Sequence, residues 1–333
     1  MEVKQAYCFD DVLLEPKRST VISRNDVNLS VDLGNNIKLA IPIVSANMKN
    51  ITGSQMARVI SKIGGLGLLH RFCTIDEQIE MFELTKPHEN RVGISVGVQE
   101  ESMERAKKLI DKGCKIVCID VAHGHSKLCL DMTLKLANYI LNNKYNVLLI
   151  SGNVATRQGA AHLANNGANV VKVGVGSGSL CSTRIEAGVG VPQLSALEDC
   201  YNCDGRIKTI ADGGIRRAGD CVKALVFSDA VMLGNVLAGT DEAPGNIVTM
   251  NGVRYKEYEG SSTHKSKHIE GVKGLVQLKG GAEPVVQKLL EGIRSGCSYQ
   301  GAKNLEELKI NPKFVSISAE GLKESHPHDI IVR

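Results

Sequence analysis

Val147-Leu-Leu-Ile-Ser-Gly-Asn153 is a continuous apolar run that stops at small and polar residues. Runs of the same kind, rich in Val and Ile, return at 39–48, 65–70, 92–98, 116–121, 170–176, 208–212 and 230–234. None alternates apolar with polar, as a strand with one wet face does. Continuous β-branched runs suit strands covered on both faces, as in a parallel sheet. Helix-like segments lie between them. Met103, Ala106, Leu109 and Ile110 stand at helical spacing over 101–112, which ends on Gly113. Thr156 caps a second helix that runs to Asn165 and closes at Gly167, and 219–226 forms another. Eight strands alternating with helices predict a (β/α)8 TIM barrel, with reactive side chains at the carboxyl ends of the strands. An open doubly wound sheet is the alternative; eight repeats within this length favour closure.

The 333 residues are 43% apolar and 23% charged, which supports a packed core and excludes a disordered or collagen-like chain. Forty Lys and Arg against thirty-six Asp and Glu leave +4, too mild and too mixed along the chain for a nucleic-acid or membrane partner. No apolar run has the length of a membrane span. The start, Met1-Glu-Val-Lys-Gln-Ala-Tyr-Cys8, lacks a signal-peptide core. Ten cysteines without a secretion signal read as reduced thiols of a cytoplasmic protein. Residues 255–281 depart from the rhythm, being polar, lysine-rich and without periodicity. They are expected to form an irregular, mobile flap.

The strand ends carry the chemistry. Gly174-Val-Gly-Ser-Gly-Ser-Leu-Cys181 spaces three glycines by one residue, so that backbone amides and carbonyls can approach a ligand closely. Amides aimed this way suit a phosphate, and carbonyls suit a monovalent cation. Cys181 follows in the same loop, a setting that can expose and activate a thiol; a tight loop around a buried thiol is the plainer reading. Asp212-Gly-Gly214 and Gly234 follow the seventh and eighth strands, the usual phosphate corner of such a barrel. Asp212 can also accept from a ribose diol. Cys200-x-x-Cys203 has zinc-like spacing without a second pair, and His123-x-His125 and His326-x-His328 read more simply as loop polarity than as metal ligands.

Taken together, these words resemble the inosine monophosphate (IMP) dehydrogenase and GMP reductase barrels. The likeness runs through Phe9-Asp-Asp-Val-Leu-Leu14, Lys17-Arg-Ser-Thr20, the segments 120–126, 152–156 and 172–184, Gly188-Val-Gly-Val-Pro-Gln193, Ala211-Asp-Gly-Gly-Ile215, Val231-Met-Leu-Gly234, Gly292-Ile-Arg-Ser295 and Glu324-Ser-His-Pro-His-Asp329. The resemblance implies a single catalytic barrel over 1–333 without the regulatory insertion common in the dehydrogenase, since a short segment joins His70 to Val92. It also implies a covalent purine adduct at Cys181. The dehydrogenase normally carries an Arg-Tyr pair in its flap to activate water, and none stands between Tyr258 and Glu270. Asn47-Met48 and His70-Arg-Phe72 also look like the reductase, whereas Glu186-Ala187 and the tail 324–329 look like the dehydrogenase. The expectation is an NADPH-dependent GMP reductase, with an IMP dehydrogenase lacking regulatory domains as the alternative.

The family's roles fall on this sequence as follows. Cys181 is the nucleophile, and Thr183 and Glu270 move the proton. Ser45 and Met48 lie beneath the base, with Asp212 on the ribose. Ser179, Gly213, Gly214, Gly234 and Asn235 surround the phosphate, and Tyr258, Gly260 and Ser261 of the flap complete the nucleotide site. Asp120, Ala122, His123 and Asn153 face the nicotinamide side. Carbonyls of Gly176, Gly178 and Cys181 resemble a potassium site, completed by Glu320, Gly321 and Leu322 of a neighbouring subunit in a homotetramer. A nucleotide sensor without activity and a flavin-dependent barrel are the readings from other classes.

Overall fold

The computed structural model describes residues 3–85, 91–201, 203, 207–260 and 272–327. Eight parallel strands close on themselves in chain order: β1 (Ile43–Ser45), β2 (Leu66–Leu69), β3 (Val92–Val96), β4 (Ile116–Asp120), β5 (Leu148–Val154), β6 (Val170–Val173), β7 (Lys208–Asp212) and β8 (Ala230–Leu233). Closure is made by Val231, Met232 and Leu233 pairing with Ile43, Val44 and Ser45. The strands are buried almost throughout, as their unbroken apolar runs require. The doubly wound alternative is excluded, because the sheet has no edge.

The outer ring is α1 (Ser54–Lys62), α2 (Ile75–Glu83), α3 (Glu101–Asp111), α4 (Lys127–Asn142), α5 (Arg157–Asn165), α6 (Gln193–Tyr201), α7 (Ala218–Leu225) and α8 (Ala282–Tyr299). Local signals set their starts. Thr74 and Glu77 form a reciprocal cap on α2, Ser126 accepts from Cys129 N–H on α4, and Thr156 accepts from Gly159 N–H on α5. Gly292 and Gly296 of α8 lie so close to α7 that a Cβ there would meet Ala218 at 2.2 Å and Val222 at 2.5 Å.

Two expectations change. Of the first run, 39–48, only Ile43–Ser45 joins the barrel, while Lys38–Leu39 pairs with Val31–Asp32. The segment 255–281 is not irregular throughout. A three-stranded antiparallel sheet, β9 (Ile247–Met250), β10 (Val253–Glu259) and β11 (Lys273–Gln277), holds both its ends. Lys256 is buried at its root, its ammonium bonded to the carbonyls of Thr240, Asp241 and Ala243. Residues 261–271 lie outside the described residues, among them Ser261 and Glu270.

Candidate active site

The carboxyl ends of the strands open into a cavity of about 660 Å³. Its walls come from the loops after β1, β2, β3, β4, β6 and β7 and from Asn153 of β5, with Tyr258 and Gly260 of the flap above. The β6 loop is shaped by glycine. Gly174 has φ +152°, and a Cβ there would stand 1.9 Å from the Asp212 carbonyl; Gly213, with φ +111°, would put its Cβ 2.3 Å from Ser177 Oγ. Only residues without side chains let these two loops interleave.

Cys181 is the exposed member of the ten cysteines, and its Sγ lies 3.2 Å from Thr183 Oγ1. The others are buried or half-buried. Burial pushes the thiols of Cys118 and Cys297 up to about 12, so they stay protonated. Tyr258 is buried and pushed up to about 12, mainly by that burial and against a hydrogen bond with Ser179, so its hydroxyl remains a donor, with Met48 Sδ 4.0 Å away. The flap touches the thiol loop directly: Val272 N–H donates to the Leu180 carbonyl at 3.2 Å.

At the floor stands a group that the sequence reading did not single out. Lys172 of β6 is 1% exposed, and its Nζ lies 2.7 Å from Asp120 Oδ1 and 2.9 Å from Asp212 Oδ2. Register explains the meeting. Gly152 of β5 pairs with Asp120 on one side and Lys172 on the other, and lets Lys172 pack so close that a Cβ there would meet Lys172 Cβ at 2.7 Å. Asp120, Lys172 and Met232 project from β4, β6 and β8, the alternate-strand layering of such barrels. Burial works against the Lys172 charge, but Asp120 and Asp212 outweigh it and hold the ammonium protonated. Burial likewise opposes the Asp120 charge, yet Lys172, with help from Arg71, keeps that carboxyl below its usual range. Asn153 Nδ2 donates to Asp212 Oδ2 at 2.8 Å and to the Gly174 carbonyl at 2.9 Å. The one available signal for Lys172 was a charge inside Val170-Val-Lys-Val173, an otherwise apolar strand.

Of the residues singled out from sequence, Met48, Asp120, Ala122, Asn153, Gly176, Gly178, Ser179, Cys181, Thr183, Asp212, Gly213, Tyr258 and Gly260 line this cavity. Gly234 lies just behind, where a Cβ would come 3.3 Å from the Tyr258 hydroxyl and 3.9 Å from Met48 Sδ. Ser45 is fully buried at the end of β1 and is not among the lining residues; its Oγ has no partner, and neither has Asn153 Oδ1, which does face the cavity as an unspent acceptor. Gly214 backs onto Phe9, and Asn235 opens the short helix Asn235–Ala238. His123 is not among the lining residues. Its neighbour His125 meets His162 instead, Nε2 to Nδ1 at 2.9 Å. Glu320, Gly321 and Leu322 lie in the helix Ala319–Glu324, which does not line the cavity of its own chain. Arg71 and Arg105, which the sequence reading did not assign, line the side beyond Asp120. Among the described residues no His, Cys, Asp and Glu group is arranged to hold a metal ion, and no helix is long and apolar enough to cross a membrane.

Known proteins share this arrangement. Residues 6–328 match the family described as "IMP dehydrogenase / GMP reductase domain". The chain is 36% identical to an inosine-5'-monophosphate dehydrogenase of Borreliella burgdorferi, over 98% of each chain. It is 31% identical to a GMP reductase of Leishmania donovani, over 97% of this chain and 96% of that one. Among solved structures, a GMP reductase from Trypanosoma brucei in complex with guanosine 5'-monophosphate superposes with a TM-score of 0.92 at 30% identity, covering 99% of both chains.

Proposed function

Because the chain belongs to the IMP dehydrogenase / GMP reductase family of oxidoreductases, we propose that it is a GMP reductase, converting GMP to IMP and ammonia at the expense of NADPH. One observation carries the choice. Glu259 pairs with Lys273, so the residues that join the paired flap strands are 260–272, and that segment contains neither arginine nor tyrosine. A dehydrogenase must activate water against its adduct, and this loop lacks the pair for it. A reductase needs only an acid for the departing amine.

Cys181 attacks C2 of the guanine ring as a thiolate, forming the C–S bond. The C2–N bond then breaks and the amine leaves as ammonia, its proton supplied through Thr183 and Glu270. NADPH supplies the hydride that replaces sulfur at C2, and Cys181 departs as thiolate. Ser45, Met48 and Asp212 hold base and ribose; Ser179, Gly213, Gly214, Gly234 and Asn235 hold the phosphate; Tyr258 and Gly260 cover it. Asp120, Ala122 and Asn153 hold the nicotinamide end, and the unpartnered Asn153 Oδ1 suits a carboxamide. Potassium on the Gly176, Gly178 and Cys181 carbonyls, completed by Glu320–Leu322 of a second copy in a homotetramer, belongs to the same reading. The Gly178 carbonyl already accepts from Cys181 N–H at 3.0 Å and retains a second lone pair.

The alternative, oxidation of IMP with NAD+, is favoured by the higher identity to the Borreliella dehydrogenase and by the dehydrogenase-like words at Glu186-Ala187 and 324–329. Incubation with GMP and NADPH, and separately with IMP and NAD+, decides by the direction in which reduced nicotinamide absorbance changes.

A further inference from the structure

A lysine buried between two strands is costly unless its charge is matched. Lys172 is matched twice, by Asp120 on β4 and by Asp212 on β7, each giving it one carboxylate oxygen within 2.9 Å. Both carboxylates line the cavity. They therefore turn one face to the shared ammonium and present the other to whatever binds. Nothing else of opposite charge reaches both. Asn47 Oδ1 at 3.5 Å and Met232 Sδ at 4.0 Å are the remaining neighbours of Nζ.

We propose that Lys172 is a positioning residue: its ammonium clamps Asp120 and Asp212 side by side, so that the nucleotide half and the dinucleotide half of the cavity share one charge-coupled floor. The assignment of Asp212 to the ribose and Asp120 to the nicotinamide side rests on the function proposed above; the clamp itself does not. Without the ammonium, two carboxylates aimed at one point share a proton, and one of them becomes a donor. A ribose diol donates hydrogen bonds and needs acceptors, so a proton held by the pair loosens the grip on the nucleotide.

The groups facing this unit are few. Cys118 and Cys129 lie behind Asp120 and are held protonated by burial. Arg71 adds positive potential to Asp120, and Tyr258 above Asp212 stays neutral. Asn153 donates to Asp212 but carries no charge. None replaces the ammonium.

The test is nucleotide affinity against pH, measured by calorimetric titration of the full-length protein with GMP and, separately, with IMP. Affinity is read without turnover, so it reports on the clamp whichever reaction the enzyme performs, while the two activity assays report on the reading. Lys172→Met should move the acid limb of nucleotide affinity to higher pH, with affinity falling about tenfold for each pH unit below that limb. Lys172→Met/Asp120→Asn should regain most of that affinity, because a single carboxylate no longer competes for its charge. Lys172→Arg should keep the wild-type limb. Should Lys172→Met fail to fold, Asp120→Asn alone decides: the ammonium then belongs wholly to Asp212, and the acid limb moves down. A limb that stays in place in both Lys172→Met and Asp120→Asn, or a double variant no better than Lys172→Met, overturns the proposal and leaves Lys172 a core residue only.

Discussion

The Sγ of Cys181 lies 3.2 Å from the hydroxyl of Thr183, two residues on in the same exposed loop. The contact follows from local geometry. Cys181 N–H closes a turn on the Gly178 carbonyl, and Thr183 then begins the short helix Thr183–Glu186. The proposed nucleophile and proton carrier are thus positioned by the turn itself.

The first expected outcome concerns that thiol. Cys181→Ala should lower turnover by roughly 10³-fold or more, the scale on which removal of a nucleophile acts, while nucleotide binding persists, since Asp212 and the glycine loops are untouched. Near-normal rates would make Cys181 structural and end the covalent mechanism.

Gly174 tests the shape of the floor. With φ at +152° and a Cβ only 1.9 Å from the Asp212 carbonyl, Gly174→Ala must move β7 or its own loop. Strain of this kind costs roughly 2–4 kcal/mol, and displaced Asp212 should raise the nucleotide KM as well. A urea midpoint and KM equal to wild type would show that the loops do not interleave as described.

The pH dependence of stability has a candidate source in His70, at the end of β2. Burial first, then the charges of Lys49 and Arg105, push its imidazole down to about 4. Its Nδ1 accepts from Phe72 N–H at 3.2 Å, which requires the neutral ring. The unfolded chain takes up the proton near 6.5, and the folded protein does not until about 4. The contribution is therefore complete above pH ~6.5 and is lost as pH falls towards ~4. In thermal melts, the advantage of wild type over His70→Asn should shrink through that window. A constant gap would remove His70 from the acid response.

A monovalent cation effect follows from the carbonyls of Gly176, Gly178 and Cys181. Potassium should activate and sodium should substitute poorly, because the loop fixes the spacing of its oxygens. Equal rates in potassium, sodium and bulky organic-cation buffers would remove the cation from the reading.

The barrel was legible because each strand is buried on both faces and so reads as one apolar run. The first run was read too long. Ala40 and Ile41 give their amides to the Gly64 carbonyl rather than to a strand, and Pro42 has none to give. The flap strands were hidden for the opposite reason. In Val253-Arg-Tyr-Lys-Glu-Tyr-Glu259 the buried positions include a lysine, Lys256, whose ammonium is satisfied by three carbonyls that only the folded loop assembles. Lys172 was missed likewise: its partners sit 52 residues earlier and 40 later, and no local pattern joins them. The glycine loop and Cys181 were legible because their chemistry is written in adjacent residues.

The last expected outcome separates the two enzymes. The segment 260–272 has no arginine or tyrosine to activate water, but it does hold Glu270, which is proposed with Thr183 to carry a proton to the departing amine. General acid assistance of this kind is worth roughly 10²–10⁴-fold. Glu270→Gln should therefore slow GMP reduction by that order, with the nucleotide KM little changed. The wild-type enzyme, given IMP and NAD+, should form little or no xanthosine monophosphate, because its adduct would form and then wait for a water that nothing deprotonates. Robust xanthosine monophosphate formation would overturn the reductase assignment and direct the search for a water activator to His264 and His268, the two histidines of the same segment.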